Sequence, residues 1–212
     1  MKAYREAFAL IKNNRITFII VNIAYFAIIT IGMVAIHSNP ELKKQLLETV
    51  GNAFTAGPMQ FITGAYSSGE IINAMIFTFF INLVLGCFIA ITLPSFIIPF
   101  SGFLVGGLRA IIWGFLFSPD LTELTPLKIL AGIGIGLLLV FEGEAYVLGL
   151  FAAFLHGRAW LIPSSVGAEK ASQGYLAGLR LTLRIYLLII SMLFIAAVYE
   201  SILVIVLLPA LL

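Results

Sequence analysis

Arg109, Glu142, Glu144 and Glu200 stand inside long apolar runs, and Asn73 and Asn82 stand inside another. A charge at mid-bilayer costs at least about 2.5–3.5 kcal/mol, so each needs a partner, a water path or a place near an interface. Two chemistries fit that requirement. In one, the groups form an ion or proton relay, or a binding site for a polar solute. In the other, Arg109 pairs with Glu144 or Glu200 in an internal salt bridge that holds a bundle in one register and needs no substrate. Glu142 and Glu144 are two residues apart, about 200° around a regular helix, so on an unbroken helix one of them faces elsewhere. Gly143 permits a break that would turn both carboxylates into a common cavity, and only that arrangement would suit a metal or cation.

Other chemistry is poorly served. His37 and His156 are the only histidines and fall on opposite sides of the expected membrane, so neither a zinc pair nor a Ser-His arrangement can be assembled. His156-Gly157-Arg158 reads as a polar cluster at headgroup level. Asp120 is the one aspartate, in a loop, and no lysine lies in the interior of a span, which removes Asp-Asp and Ser-Lys membrane enzymes. Cys87 is the single cysteine, so no internal disulfide and no thiolate cluster can form. Gly132, Gly134 and Gly136 have neither a preceding strand nor a following Lys-Ser or Lys-Thr, so they do not cradle a phosphate. The four-residue spacings Gly102/Gly106 and Gly132/Gly136 are expected to be helix-packing contacts. Trp113 and Trp160 are expected to be interfacial anchors. No cofactor and no metal site is expected.

The elements that must position these groups are lipid-soluble. Apolar residues make up 61% of the chain and charged ones 10%, with a mean hydropathy of +1.12, far outside the range of soluble domains. The net charge of +2 is too small to point to nucleic acid, and the basic residues flank apolar runs, where lipid headgroups lie. A span needs about 20 apolar residues. By that ruler the chain is all-α, a single transmembrane domain over 1–212, with about five spans at 16–36, 71–93, 96–117, 127–155 and 185–208. The first run is longer than a secretory core and has no cleavage site after it, so it is expected to stay in the mature chain. Asn39-Pro40-Glu41 signals a capped start, and Leu42, Leu46 and Val50 follow at four-residue spacing, giving a short amphipathic helix near 40–54 on the membrane surface or against the bundle. Gly57-Pro58 ends it, and Tyr66 to Gly69 reads as a turn. Phe96 to Phe117 is a full span or half of a re-entrant hairpin. The run from Leu127 to Ile162 is too long for one untilted span and is expected to be broken or re-entrant near 142–144. Pro209 is expected to end the last span.

Lys2, Arg5, Lys12 and Arg15 precede the first span, and Arg158, Lys170, Arg180 and Arg184 surround an inner loop at 156–184. Both groups belong on the cytoplasmic side. That parity requires Phe96 to Phe117 to cross completely, Asp120 and Glu123 to face out, and the C-terminus to lie outside.

With the spans placed, the second half resembles the stage II sporulation protein M family of bacterial and archaeal membrane proteins. Phe80-Ile81-Asn82-Leu83, Gly86, and then Gly102, Gly106 and Gly107 are similar to that family's asparagine-bearing span and glycine-rich hairpin. Phe141-Glu142-Gly143-Glu144-Ala145, leading to Gly149 and Ala152-Ala153, is similar to its glutamate motif, and Ala196-Ala197-Val198-Tyr199-Glu200 to its alanine-rich final span. The resemblance covers roughly residues 70–205. Phe141 and Glu142 stand where the family usually has His-Gly, which leaves no counterpart for an upstream histidine. The resemblance implies a non-enzymatic protein that works with cell-wall hydrolases in septal peptidoglycan remodelling, although many relatives occur in organisms that never sporulate.

The expected function is therefore a scaffold in the plasma membrane of a bacterium or archaeon, with the lipid bilayer and a membrane or envelope protein as partners. The alternative is a small transporter or channel lined by Arg109, Glu142, Glu144 and Glu200. The two separate on whether the carboxylates face an open cavity or a closed, paired interior.

Overall fold

The computed structural model describes residues 2–55, 57, 59–119 and 124–211, and every regular element among them is helical. Pro58, Asp120 and Glu123, on which two of the loop expectations rest, lie outside the described residues. In chain order the helices are α1 (Lys2–Asn13), α2 (Arg15–His37), α3 (Pro40–Phe54), α4 (Met59–Ser67) and α5 (Ile71–Ile81). A π-helical segment, Asn82–Thr92, joins α5 to α6 (Leu93–Ile97), and α7 (Ser101–Leu116) follows. The chain then forms α8 (Pro126–Leu161), a 3-10 turn, and α9 (Ala171–Ile202), which runs through a second π segment, Leu203–Leu207, into α10 (Leu208–Leu211). Four of these stretches are long and apolar enough to cross a membrane: Arg15–His37, Ile71–Ile97, Pro126–Leu161 and Ala171–Leu211. The bundle presents α2 to lipid through Ile16, Ile19, Ile20, Ile23, Ile31 and Val34, all more than half exposed.

Helix starts follow local chemistry. Asn39 Oδ1 accepts the Leu42 N–H at 3.1 Å with Pro40 behind it, and Thr125 Oγ1 accepts the Lys128 N–H at 3.2 Å with Pro126 behind it. The turn between α6 and α7 spans only Ile98 to Phe100, and Phe100 takes a left-handed φ of 67° to close it. Ser95 braces that turn: its Oγ donates to the Ile91 carbonyl at 3.0 Å and accepts the Gly102 N–H at 2.8 Å. A Cβ on Gly102 would lie 2.5 Å from the Ile91 carbonyl oxygen, so no larger residue fits there without moving the hairpin.

Three boundaries differ from the sequence expectation. α8 is a single unbroken helix of 36 residues, about 54 Å long, and Glu142-Gly143-Glu144 sits inside it without a break. It is the bundle's central element, with 72% of its apolar window buried against 28–33% for the other three, and packing on every side lets a glycine stay helical. The expected inner loop at 156–184 shrinks to 162–170, because α9 already begins at Ala171 and carries Arg180 and Arg184 on its first turns. Pro209 does not end the last helix; it lies within α10, after a π segment that has already shifted the hydrogen-bond register.

α2 and α7 approach closely at Gly32 and Gly114. A Cβ on Gly32 would meet the Ile111 carbonyl at 3.0 Å and Gly114 Cα at 3.2 Å, and one on Gly114 would run into the Ile29 carbonyl. Gly106 packs on Leu150, whereas Gly132 and Gly136 have nothing within 4 Å of such a Cβ. On that part of α8 the contact is made by Gly134, against Leu203 and the Tyr199 hydroxyl. The expected Gly132/Gly136 packing pair is thus corrected to Gly134, because the unbroken helix turns those two away from α9. Gly114→Val should lower thermal stability in detergent by about 1–3 kcal/mol through overpacking, while Gly132→Val should melt like the parent. Equal melting of the two variants would remove this account of helix packing.

Candidate functional site

Arg109 in α7 and Glu142 in α8 meet inside the bundle, Nη2 to Oε1, at 3.5 Å. Tyr146, one turn along α8 from Glu142, completes the contact. Its hydroxyl accepts from Arg109 Nη2 at 2.6 Å and donates to Glu142 Oε1 at 3.2 Å. The guanidinium also lies 4.0 Å from the Tyr146 ring centre and 4.8 Å from that of Trp113, its own neighbour one turn along α7. Trp113 is buried at this contact, its ring covering the Arg109 guanidinium. The partner expected for Arg109 was Glu144 or Glu200, and the structure gives it Glu142. The cause is the unbroken α8, which sends Glu142 toward α7 and Glu144 toward α2. There Asn22 Nδ2 donates to Glu144 Oε1 at 2.5 Å. Asn22 was missed in the sequence, although a lone amide in the middle of the first apolar run was the available signal.

Asn73 lies in the first turn of α5, exposed, with its amide on the Glu70 carboxylate, away from the other polar groups. Asn82 opens the π segment and Glu200 lies near the end of α9; both face a cavity of about 490 Å³ that Arg109 and Glu142 also line. The structure therefore gathers Arg109, Glu142, Glu200 and Asn82 around one space and leaves Glu144 out of it. Apart from Thr78, the remaining walls are largely apolar, with Ile81, Val105, Leu108, Ile112 and Leu116 among them.

The short helices between α2 and α5 close one side. Val50 and Ala53 of α3 and Met59 and Ile62 of α4 line the cavity, and α4 was not foreseen in the sequence. Lys43 Nζ donates to the Ser118 carbonyl at 2.6 Å, which holds α3 to the end of α7. The hydroxyls of Tyr66 and Thr78 lie 3.2 Å apart and hold α4 to α5. The expected amphipathic helix at 40–54 is thus packed against the bundle as part of a cover, and not free on the membrane surface.

His156 is fully buried among Phe96, Trp160 and Tyr175, with ring centres 4.8–6.0 Å away. Trp160 belongs to that aromatic box, 5.0 Å from Tyr175. No group of three or more His, Cys, Asp or Glu that could hold a metal ion occurs among the described residues. The chain matches no family model, no curated protein and no solved structure.

Because Arg109 and Glu142 neutralise one another, removing one strands the other. Arg109→Leu should cost on the order of 3 kcal/mol, and adding Glu142→Gln should recover part of it, whereas adding Glu144→Gln should only add its own loss. Thermal melting of the variants in detergent measures this, and recovery by Glu144→Gln in place of Glu142→Gln would contradict the pairing.

Proposed function

We propose that this protein is a non-enzymatic, multi-pass membrane protein that binds a small solute in the cavity beside Arg109, Glu142 and Glu200, as a small transporter or channel does. The observation that carries this reading is the cavity itself. Intramembrane carboxyl groups that served structure alone would be closed in on partners, yet Glu200 and Asn82 face about 490 Å³ of space. A volume of that size, mostly apolar with a few convergent polar groups, is typical of small-molecule sites.

Five crossings are part of the proposal: α2, α5 through α6, α7, α8, and α9 through α10. Contacts between distant segments support it. Arg158 Nη1 donates to Asn14 Oδ1 at 3.4 Å and Arg184 pairs with Glu6 at 3.4 Å, which brings the two basic segments to one end of the bundle. Phe100 packs on Phe154 at that same end, while Ser118, at the other end of α7, meets Lys43 and donates to the Met33 carbonyl at 3.1 Å. α7 then runs from one end to the other despite its 16 residues. By the positive-inside rule the basic end is cytoplasmic, and α3 and α4 cover the cavity from outside, in the plasma membrane of a bacterium or archaeon.

A scaffold is the second reading, supported by the resemblance to the stage II sporulation protein M family and by Glu144, whose pairing with Asn22 needs no solute. In that reading the partner is a protein of the membrane or envelope. Cysteine reactivity separates the two, since Cys87 is buried and silent. In right-side-out vesicles a water-soluble thiol reagent should modify Ser67→Cys and spare Ser172→Cys. It should also modify Asn82→Cys, and Ala53→Trp, which fills the cavity, should block that last reaction. An inert Asn82→Cys beside a reactive Ser67→Cys would leave the topology standing and remove the solute site.

A further inference from the structure

We propose that the occupant of this cavity is an organic cation with an apolar body, and that Glu200 is its counter-ion; the inference rests on the cavity being a solute site. Three acidic or basic groups line it, and two of them cancel. Arg109 is committed to Glu142, directly and through the Tyr146 hydroxyl. Among the described residues no lysine, arginine or histidine stands within 4 Å of Glu200, whose electrostatic neighbours are the Tyr66 hydroxyl and the Glu142 carboxylate. The Tyr66 hydroxyl is shared with Thr78. The site therefore carries one carboxylate more than its guanidinium can balance, in surroundings where an unpaired carboxylate is costly. A cation entering the cavity supplies the missing charge.

The walls decide which kind of cation. An inorganic ion gives up its hydration shell only where several oxygens converge on it, commonly six or more for a calcium-like ion. Here Glu142 is committed to Arg109 and Thr78 to the Tyr66 hydroxyl, so only the Glu200 carboxyl and the Asn82 amide are left to face a space otherwise walled mainly by Ile81, Leu108 and Ile112, too few oxygens to replace such a shell. A charged amine or quaternary ammonium group on an aliphatic or aromatic body matches both halves of the site: the head meets Glu200 and the body covers the apolar wall. Leu108 and Ile112 line the cavity and remain exposed, so the apolar wall is open to the body of such a solute.

The test uses Asn82→Cys as the reporter in purified protein in lipid nanodiscs, with neutral methyl methanethiosulfonate as the modifying reagent. Three probes of one shape are compared: benzyltrimethylammonium, its uncharged isostere neopentylbenzene, and the anion phenylmethanesulfonate. Benzyltrimethylammonium should protect the cysteine, and the anion should not. Glu200→Gln should weaken the protection about tenfold, as loss of one charged contact does, while Glu200→Asp should keep most of it. The uncharged isostere should protect less than the cation and be indifferent to Glu200→Gln, which also shows that this variant still folds around the cavity. Equal protection by cation and isostere, or protection unchanged in Glu200→Gln, overturns the charge assignment and leaves the cavity as a neutral site. A cysteine that methyl methanethiosulfonate does not modify at all overturns the solute site itself.

Discussion

Inside a hydrocarbon medium, an ionised side chain decides the arrangement of its neighbours, because leaving it unpaired costs more than any single packing contact returns. Arg109 is the group on which this structure turns. It joins α7 to the central helix through Glu142 and Tyr146, and the rings of Trp113 and Tyr146 cover its guanidinium. That contact sets how α7 lies on α8. Gly106 on Leu150 and the Gly32–Gly114 approach then let α7 sit close to its neighbours on either side. Arg109, satisfied from α8, is not free to pair with Glu200.

The cavity follows from the same arrangement. α5 and α7 are joined at the tight Phe100 turn, where Gly102 lies against Ile91 and Ser95. Farther from the turn, the helix running into that hairpin is π-helical from Asn82 to Thr92, and wider π turns often accompany functional sites. Gly86, within that segment, leaves room for the Tyr146 hydroxyl. Between α5 and α7 the space is closed by α3 and α4, with Lys43 on the Ser118 carbonyl and Tyr66 beside Thr78 among the contacts that hold them.

Much of this was legible in the sequence because the bilayer imposes simple rules. Apolar length located α2 and the cores of α5, α8 and α9, and capping residues located the starts of α3 and α8. Arg109, Glu142, Glu200 and Asn82 stood out as polar groups in apolar runs. What could not be read was partner choice. Whether Arg109 meets Glu142 or Glu144 depends on whether Gly143 breaks the helix, and that is settled by burial on all sides of α8, a tertiary effect. Gly32 and Gly114 escaped notice because Gly32 is the only glycine of α2 and Gly114 has no glycine four residues from it on α7. Gly132 and Gly136 had the spacing without the facing helix. The burial of His156 could not be read either, because two of the three aromatic residues around it, Phe96 and Tyr175, come from α6 and α9.

The central claim is that the paired Arg109 and Glu142 border a wet space into which Glu200 and Asn82 project, within a bundle otherwise dry. Electron spin echo modulation from deuterated water measures this directly, with nitroxide labels at Asn82 and, as a lipid-facing reference, at Ile23, which is 64% exposed on α2. In nanodiscs the account predicts strong deuterium modulation at Asn82 and none at Ile23. Absence of modulation at both positions would mean a sealed, paired interior and would contradict it.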